Sequence, residues 1–173
     1  MLHRNLLLIV CMLSSLSFTV SAKNKLVELR LVRIEAQQTS ERGGDELYFT
    51  ITEYPGEGNP KLTRVPMSPL HWLSKELPEI KNVRLWQGEV VDDSSTLLIM
   101  SLIEHDLPTS LTDDHLGSAQ VKLENKGNFL KTTWGQPNFT DQPKVEQSGT
   151  KNPKFLMFGD GGKYLVEFKL DVQ

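Results

Sequence analysis

From Lys25 onward, apolar and polar side chains alternate along the chain with a period of two. In "LVELRLVRIEA", Val27, Leu29 and Leu31 share one face, and the pattern then slips so that Val32, Ile34 and Ala36 continue it. Successive strand side chains point to opposite faces, so the slip predicts one long strand with a bulge or bend. "ELYFTITEY" sets Leu47, Phe49 and Ile51 against Tyr48, Thr50 and Thr52, and its aromatic and β-branched content agrees with a strand. The turn cluster "YPGEGNP" at 54–60 leads into "KLTRVP", a short edge strand ended by Pro66. "VRLWQGEVV" follows as a strand, "DDSS" turns, and "TLLIMSLIE" is apolar on both faces, which predicts a central strand covered above and below. "SAQVKLEN" and "GNFLKTTW" read as two shorter strands around a turn at Lys126 and Gly127. In "KYLVEFKLDV", Tyr164, Val166, Phe168, Leu170 and Val172 oppose Glu167, Lys169 and Asp171, a closing strand with one wet side.

Three stretches break the rhythm. "SPLHWLSKEL" predicts about two turns of helix, with Ser68 as cap and Pro69 at the first helical position. The polar segment 135–154, with Pro137, Pro143, Gly149 and Pro153, reads as a long loop. The glycines of "GDGGKY" have no helix behind them to complete a phosphate cradle, so they predict a hairpin turn. Eight strands with little helix and no internal repeat point to an all-β fold, an antiparallel eight-stranded β-sandwich.

The length of 173 residues fits one domain with its own core. The start, "MLHRNLLLIVCMLSSLSFTVSA", has Arg4, an apolar run from Leu6 to Val20 and small residues up to Ala22, the order of a secretory signal peptide. Three serines interrupt that run, which falls short of the roughly twenty apolar residues of a membrane span. The expected division is therefore 1–22 as signal peptide and 23–173 as sandwich, a secreted or periplasmic chain with no integral membrane span once cleaved. Cleavage removes Cys11, the single cysteine, so stability must come from the core without disulfides, a composition that suits a bacterial envelope or secreted product. It also removes Arg4 and moves the formal charge from −3 to −4, which argues against nucleic acid as a partner.

Charge changes the picture most at "SLIEHDLPTSLTDDHLGS". Glu104 and Asp106 are two apart and point the same way from the end of an apolar strand, and Asp113 and Asp114 return after a short loop. A loop leaving and re-entering one sheet would crowd these carboxylates, which is costly unless a cation sits among them. Calcium takes six to eight oxygens from such loops. The plainer reading is a solvated rim in which Asp113 or Asp114 caps a turn, and no EF-hand pattern is present.

"SLIEHD…DDHLGS" resembles the third calcium loop of C2 domains, in which an apolar strand ends in an acidic-x-acidic pair and an Asp, an aliphatic residue and Gly open the next strand. "DELYFTI" is similar to that family's Ser-Asp-Pro-Tyr segment at the end of its first loop, "VRIEAQQTSERGG" to the strand and loop before it, and "VRLWQGEVV…TLLIMSLIEHD" to its central strands. The likeness spans most of residues 25–125. It implies a sandwich whose loops hold calcium at one end and approach anionic phospholipid headgroups or a protein partner. By position, Glu104, Asp106 and Asp114, with Asp113 beside them, would be third-loop ligands, and Asp45 or Glu46 a first-loop ligand. The chain departs from the pattern in offering Gln37, Gln38 and Thr39 where the family has an earlier aspartate, and in a longer third loop that begins with Glu.

His105 and His115 flank the acidic loop, and with Asp106 they suggest a transition-metal site, although their spacing lacks a metal motif. No G-x-S-x-G, H-E-x-x-H or mature cysteine supports an enzyme; a hydrolase would have to use His71 or His115 with a carboxylate. Trp72, Trp86 and Trp134 read as core or rim aromatics, and Leu107, Pro108 and Leu111 as an apolar loop tip able to meet a bilayer. Asn138, Phe139 and Thr140 form a glycosylation acceptor. The expectation is a non-enzymatic C2-like binding module, calcium-dependent at its acidic end; the alternative is a metal-free envelope or secreted scaffold for protein interaction.

Overall fold

The structure is a computed structural model that describes residues 23–106, 112–137, 145–146 and 152–173. Residues 1–22, expected as a signal peptide, residues 107–111, expected as an apolar tip, and the expected glycosylation acceptor at 138–140 lie outside the described residues. Among the described residues, eleven strands run in the order β1 (Lys25–Gln38), β2 (Glu46–Tyr54), β3 (Lys61–Val65), β4 (Trp72–Leu73), β5 (Val83–Val90), β6 (Ser95–Glu104), β7 (Asp114–Asn125), β8 (Leu130–Gly135), β9 (Val145–Glu146), β10 (Lys154–Gly159) and β11 (Gly162–Val172). They form two antiparallel sheets, β10-β11-β1-β5 and β3-β2-β6-β7-β8-β9, with β4 also pairing with β2. The fold is thus the expected all-β sandwich. The strand count exceeds eight because β4 and β9 are two-residue pieces and because β10, a short run without alternation, gives no period-two signal.

The slip in β1 is a bulge. Against β11 the register passes from Leu31 opposite Phe168 to Arg33 opposite Glu167, so Val32 is the extra residue and Ile34 turns back into the core. Ala36, expected on the same face as Ile34, is exposed beyond the core. Leu29, Leu31 and Ile34 from β1 meet Phe49, Leu98, Met100 and Leu102 from the other sheet, all but fully buried. Phe168 links the layers: its ring lies 5.9 Å from Phe49, edge on, and 6.1 Å from Trp134, stacked. On the solvent side of β11, Arg33 Nε donates to Glu167 Oε2 at 2.8 Å, the wet face read from the alternation.

Two expectations need correction. β6 is central in its sheet, but only Thr96, Leu98, Met100, Leu102 and Glu104 are buried, while Leu97, Ile99 and Ile103 are half-buried, because a two-layer sandwich covers one face of each sheet. The stretch expected as a two-turn helix instead extends the sheet: Trp72 and Leu73 pair with Leu47 and Glu46, and a 3₁₀ helix follows over Ser74–Glu79. Sheet hydrogen bonds and the edge-on contact of Trp72 with Phe49, at 6.4 Å, outweigh local propensity there, and Pro78 limits the helix to a tight turn.

The "GDGG" hairpin between β10 and β11 forms as read, with Asp160 at φ 46° and Gly161 at φ 88°. Substituting Gly161→Ala would force a Cβ into left-handed backbone, so urea denaturation should show a loss of about 1 kcal/mol.

Candidate metal centre

Three parts of the chain meet at one end of the sandwich: the loop 39–45 before β2, the end of β6 with the start of β7, and the β10–β11 turn. Strand alternation then sorts their acids. Glu104 pairs in register with Asp114 and with Leu47, so these point inward together, whereas Glu46, His105 and Asp113 stand one residue out of phase and point to the outer face. The six acids singled out from the sequence therefore divide between two groups.

In the inner group, oxygens of Glu41, Glu104 and Asp106 all lie within 4.8 Å of one another, the only such convergence of metal-ligating side chains among the described residues. Glu104 is 2% exposed, Asp106 half-buried and Glu41 exposed. Burial pushes the Glu104 carboxyl up to about 8, helped by its hydrogen bond to Asp106 and by the charges of Asp106, Asp45 and Glu41. Asp114 is also raised, by burial and then by the charges of Asp106, Asp160 and Asp113. Burial and the neighbouring charges therefore favour the protonated form of Glu104. Bringing a cation to this point would displace that proton.

Asp45, expected from the sequence as a first-loop ligand, has its carboxylate engaged by donors of the protein. It is fully buried, and its carboxylate accepts from Ser40 N at 3.0 Å and Glu41 N at 3.0 Å and from the Tyr164 hydroxyl. Its own N–H donates to Ser74 Oγ at 3.0 Å. Burial and the Asp45 bond raise the Tyr164 hydroxyl above the ordinary phenol range. Through these bonds Asp45 closes the loop that presents Glu41, and its charge acts on Glu104.

The outer group gathers Glu46 and Asp113 with histidines. Asp113 accepts from the Tyr48 hydroxyl at 2.6 Å and lies 3.1 Å from His105 Nδ1. Burial alone would raise Asp113, but these hydrogen bonds together hold it below the usual carboxylate range. Burial and Asp113 push Tyr48 up to about 12. Glu46 Oε1 is 3.7 Å from His71 Nε2. His105 and His115 are not brought together with Asp106: His105 faces Asp113, and His115 Nε2 lies 2.8 Å from Ser118 Oγ.

Sequence reasoning missed Glu41 and Asp160. Glu41 stands in "TSERGGD", just past the glutamines noted as a gap, and its exposed, irregular setting carries no periodic signal. Asp160 reaches the tip only because β10 and β11 form a hairpin there.

Among solved structures, the chain is similar to the first-lettered (A) C2 domain of a plant extended synaptotagmin 1, at 14% identity over 84% of this chain and 93% of that one, with a TM-score of 0.45. It is also similar to human GIVD cytosolic phospholipase A2, at 12% identity over 86% of this chain and 17% of that much longer one, TM-score 0.41. A third structure described as a C2 domain is similar at 14% identity over 87% and 98% of the two chains, TM-score 0.34. No family model and no curated protein sequence matches the chain. Among the described residues, no helix is long and apolar enough to cross a membrane.

Proposed function

We propose that the chain is an exported, non-enzymatic C2-like binding module, secreted or periplasmic, whose inner acidic group takes calcium and then meets anionic phospholipid headgroups or a protein partner. The observation that supports it most is the convergence of Glu41, Glu104 and Asp106, from two separate connections, on one point beside Asp114. All donors are carboxylate oxygens, the preference of a hard cation. The mechanism is electrostatic. The ion-free tip repels anionic headgroups, and a bound divalent ion cancels or reverses the local sign.

A metal-free scaffold is the second reading, and the raised Glu104 carboxyl favours it, because protonating Glu104 relieves the repulsion without an ion. Thermal melts separate the two. Calcium that binds only the folded chain stabilises it by about 2.7 kcal/mol at one hundred times Kd. With few carboxylates in the set, the midpoint should begin to rise at roughly 0.1–1 mM calcium and return with chelator. Asp106→Asn should remove the rise while the protein stays folded. A midpoint indifferent to millimolar calcium would leave the scaffold reading in possession.

A further inference from the structure

The outer group has a chemistry the inner one lacks. His71 precedes β4 and His105 follows β6, and the folded chain brings their rings to 5.9 Å between centroids, tilted by 33°. Each ring has one nitrogen directed at a carboxylate: His105 Nδ1 at Asp113 Oδ1, 3.1 Å, and His71 Nε2 at Glu46 Oε1, 3.7 Å. Asp113 is itself fixed by the Tyr48 hydroxyl. The other nitrogen of His71, Nδ1, is shut off from solvent and has no hydrogen-bond partner. A buried polar atom without a partner costs free energy, and here it belongs to one of the commonest metal-ligating groups in proteins.

We infer that His71 and His105 form a binding site for a divalent transition metal such as zinc or copper, with His71 Nδ1 and His105 Nε2 as donors, Asp113 as the carboxylate that orients the His105 ring, and Glu46 as a negative charge beside His71. Two imidazoles sharing an ion at about 2.1 Å from each nitrogen place their centroids roughly 5–6.5 Å apart, which the observed separation satisfies. Asp113 on the far nitrogen of His105 fixes its tautomer and strengthens the donor, the arrangement that metal-bound histidines usually have, while Glu46 at 3.7 Å adds negative charge beside His71. Neutral imidazole selects borderline ions and has little affinity for calcium, so this site and the inner carboxylates discriminate between metals. Arg64 lies over the Tyr48 ring, 3.7 Å from its centroid. Among the described residues no third His or acid donor converges with the two rings, so the two imidazoles are the protein donors of the site.

The test is calorimetric titration of the untagged full chain with zinc chloride, and with copper(II) under electron paramagnetic resonance. One zinc ion per chain should bind with saturation below millimolar metal. His71→Gln and His105→Gln should each weaken it by about tenfold or more, and Asp113→Asn by about tenfold, with far-UV circular dichroism unchanged. The copper spectrum should show coupling to two nitrogens. Asp106→Asn and His115→Gln serve as controls and should leave zinc affinity as it was. The inference falls if the His71→Gln/His105→Gln double variant binds zinc like the parent, if the parent binds none at millimolar zinc, or if the copper spectrum shows oxygen ligands only. Calcium present throughout should not compete; competition would place zinc at the inner carboxylates and likewise overturn it.

Discussion

Replacing Asp45 by alanine will destabilise the protein by about 2–4 kcal/mol, read as a lower urea midpoint at unchanged slope. The carboxylate is fully buried and accepts from two backbone N–H groups and from the hydroxyl of Tyr164, which is itself fully buried. Alanine leaves that hydroxyl without a partner, and the desolvation of an unpaired buried group makes up most of the loss. The N–H groups of Ser40 and Glu41 lie in an exposed loop where water can replace the carboxylate, so they add less. One term opposes: removing the Asp45 charge relieves the field that raises Glu104. Tyr164→Phe isolates the hydroxyl and should cost about 1–2 kcal/mol, leaving Asp45 with its backbone donors. If Asp45→Ala loses less than the Tyr164 variant, the closed loop is not what this residue maintains, and its assignment as a loop-closing acceptor rather than a ligand is wrong.

That assignment marks where the sequence stops being legible. The period of two disclosed most strands, the bulge in β1 and the wet side of β11, because each depends on local alternation and burial alone. The same period implies the separation of the two clusters, which a reading of one crowded loop overlooked: "IEHD" must send Glu104 and Asp106 one way and His105 the other. What it lacked was pairing. The meeting of His71 with His105 and the delivery of Asp160 to the tip depend on which strands are neighbours. Asp45 and Glu46 are adjacent in the chain, and only the registers of β2 with β4 and β6 show that one faces the core and the other His71. The misread helix has the same origin: Ser68 and Pro69 suit a helix start as well as a turn, and the partner strand decides.

The ion-free protein should lose stability as pH rises from about 4.5 to about 8, and Glu104→Gln should abolish that loss. The folded-state value of Glu104, about 8, stands above its ordinary 4.5, so between those limits the folded chain binds more protons than the unfolded chain. Stability then falls with rising pH across the window, and the penalty is complete above it. With screening by solvent at the tip allowed for, it amounts to about 1–3 kcal/mol. Glutamine keeps a donor toward Asp106 without a titrating proton, so the variant should match the parent near pH 5 and exceed it near pH 8. Calcium acts on the same proton. If the ion occupies the inner carboxylates, its affinity must rise with pH through this window, and at pH 7 binding must release up to about one proton, measurable by calorimetry in buffers of different ionisation enthalpy. Parent and variant with the same pH profile would mean that Glu104 is ionised already. A calcium heat independent of buffer would mean that the ion binds somewhere else.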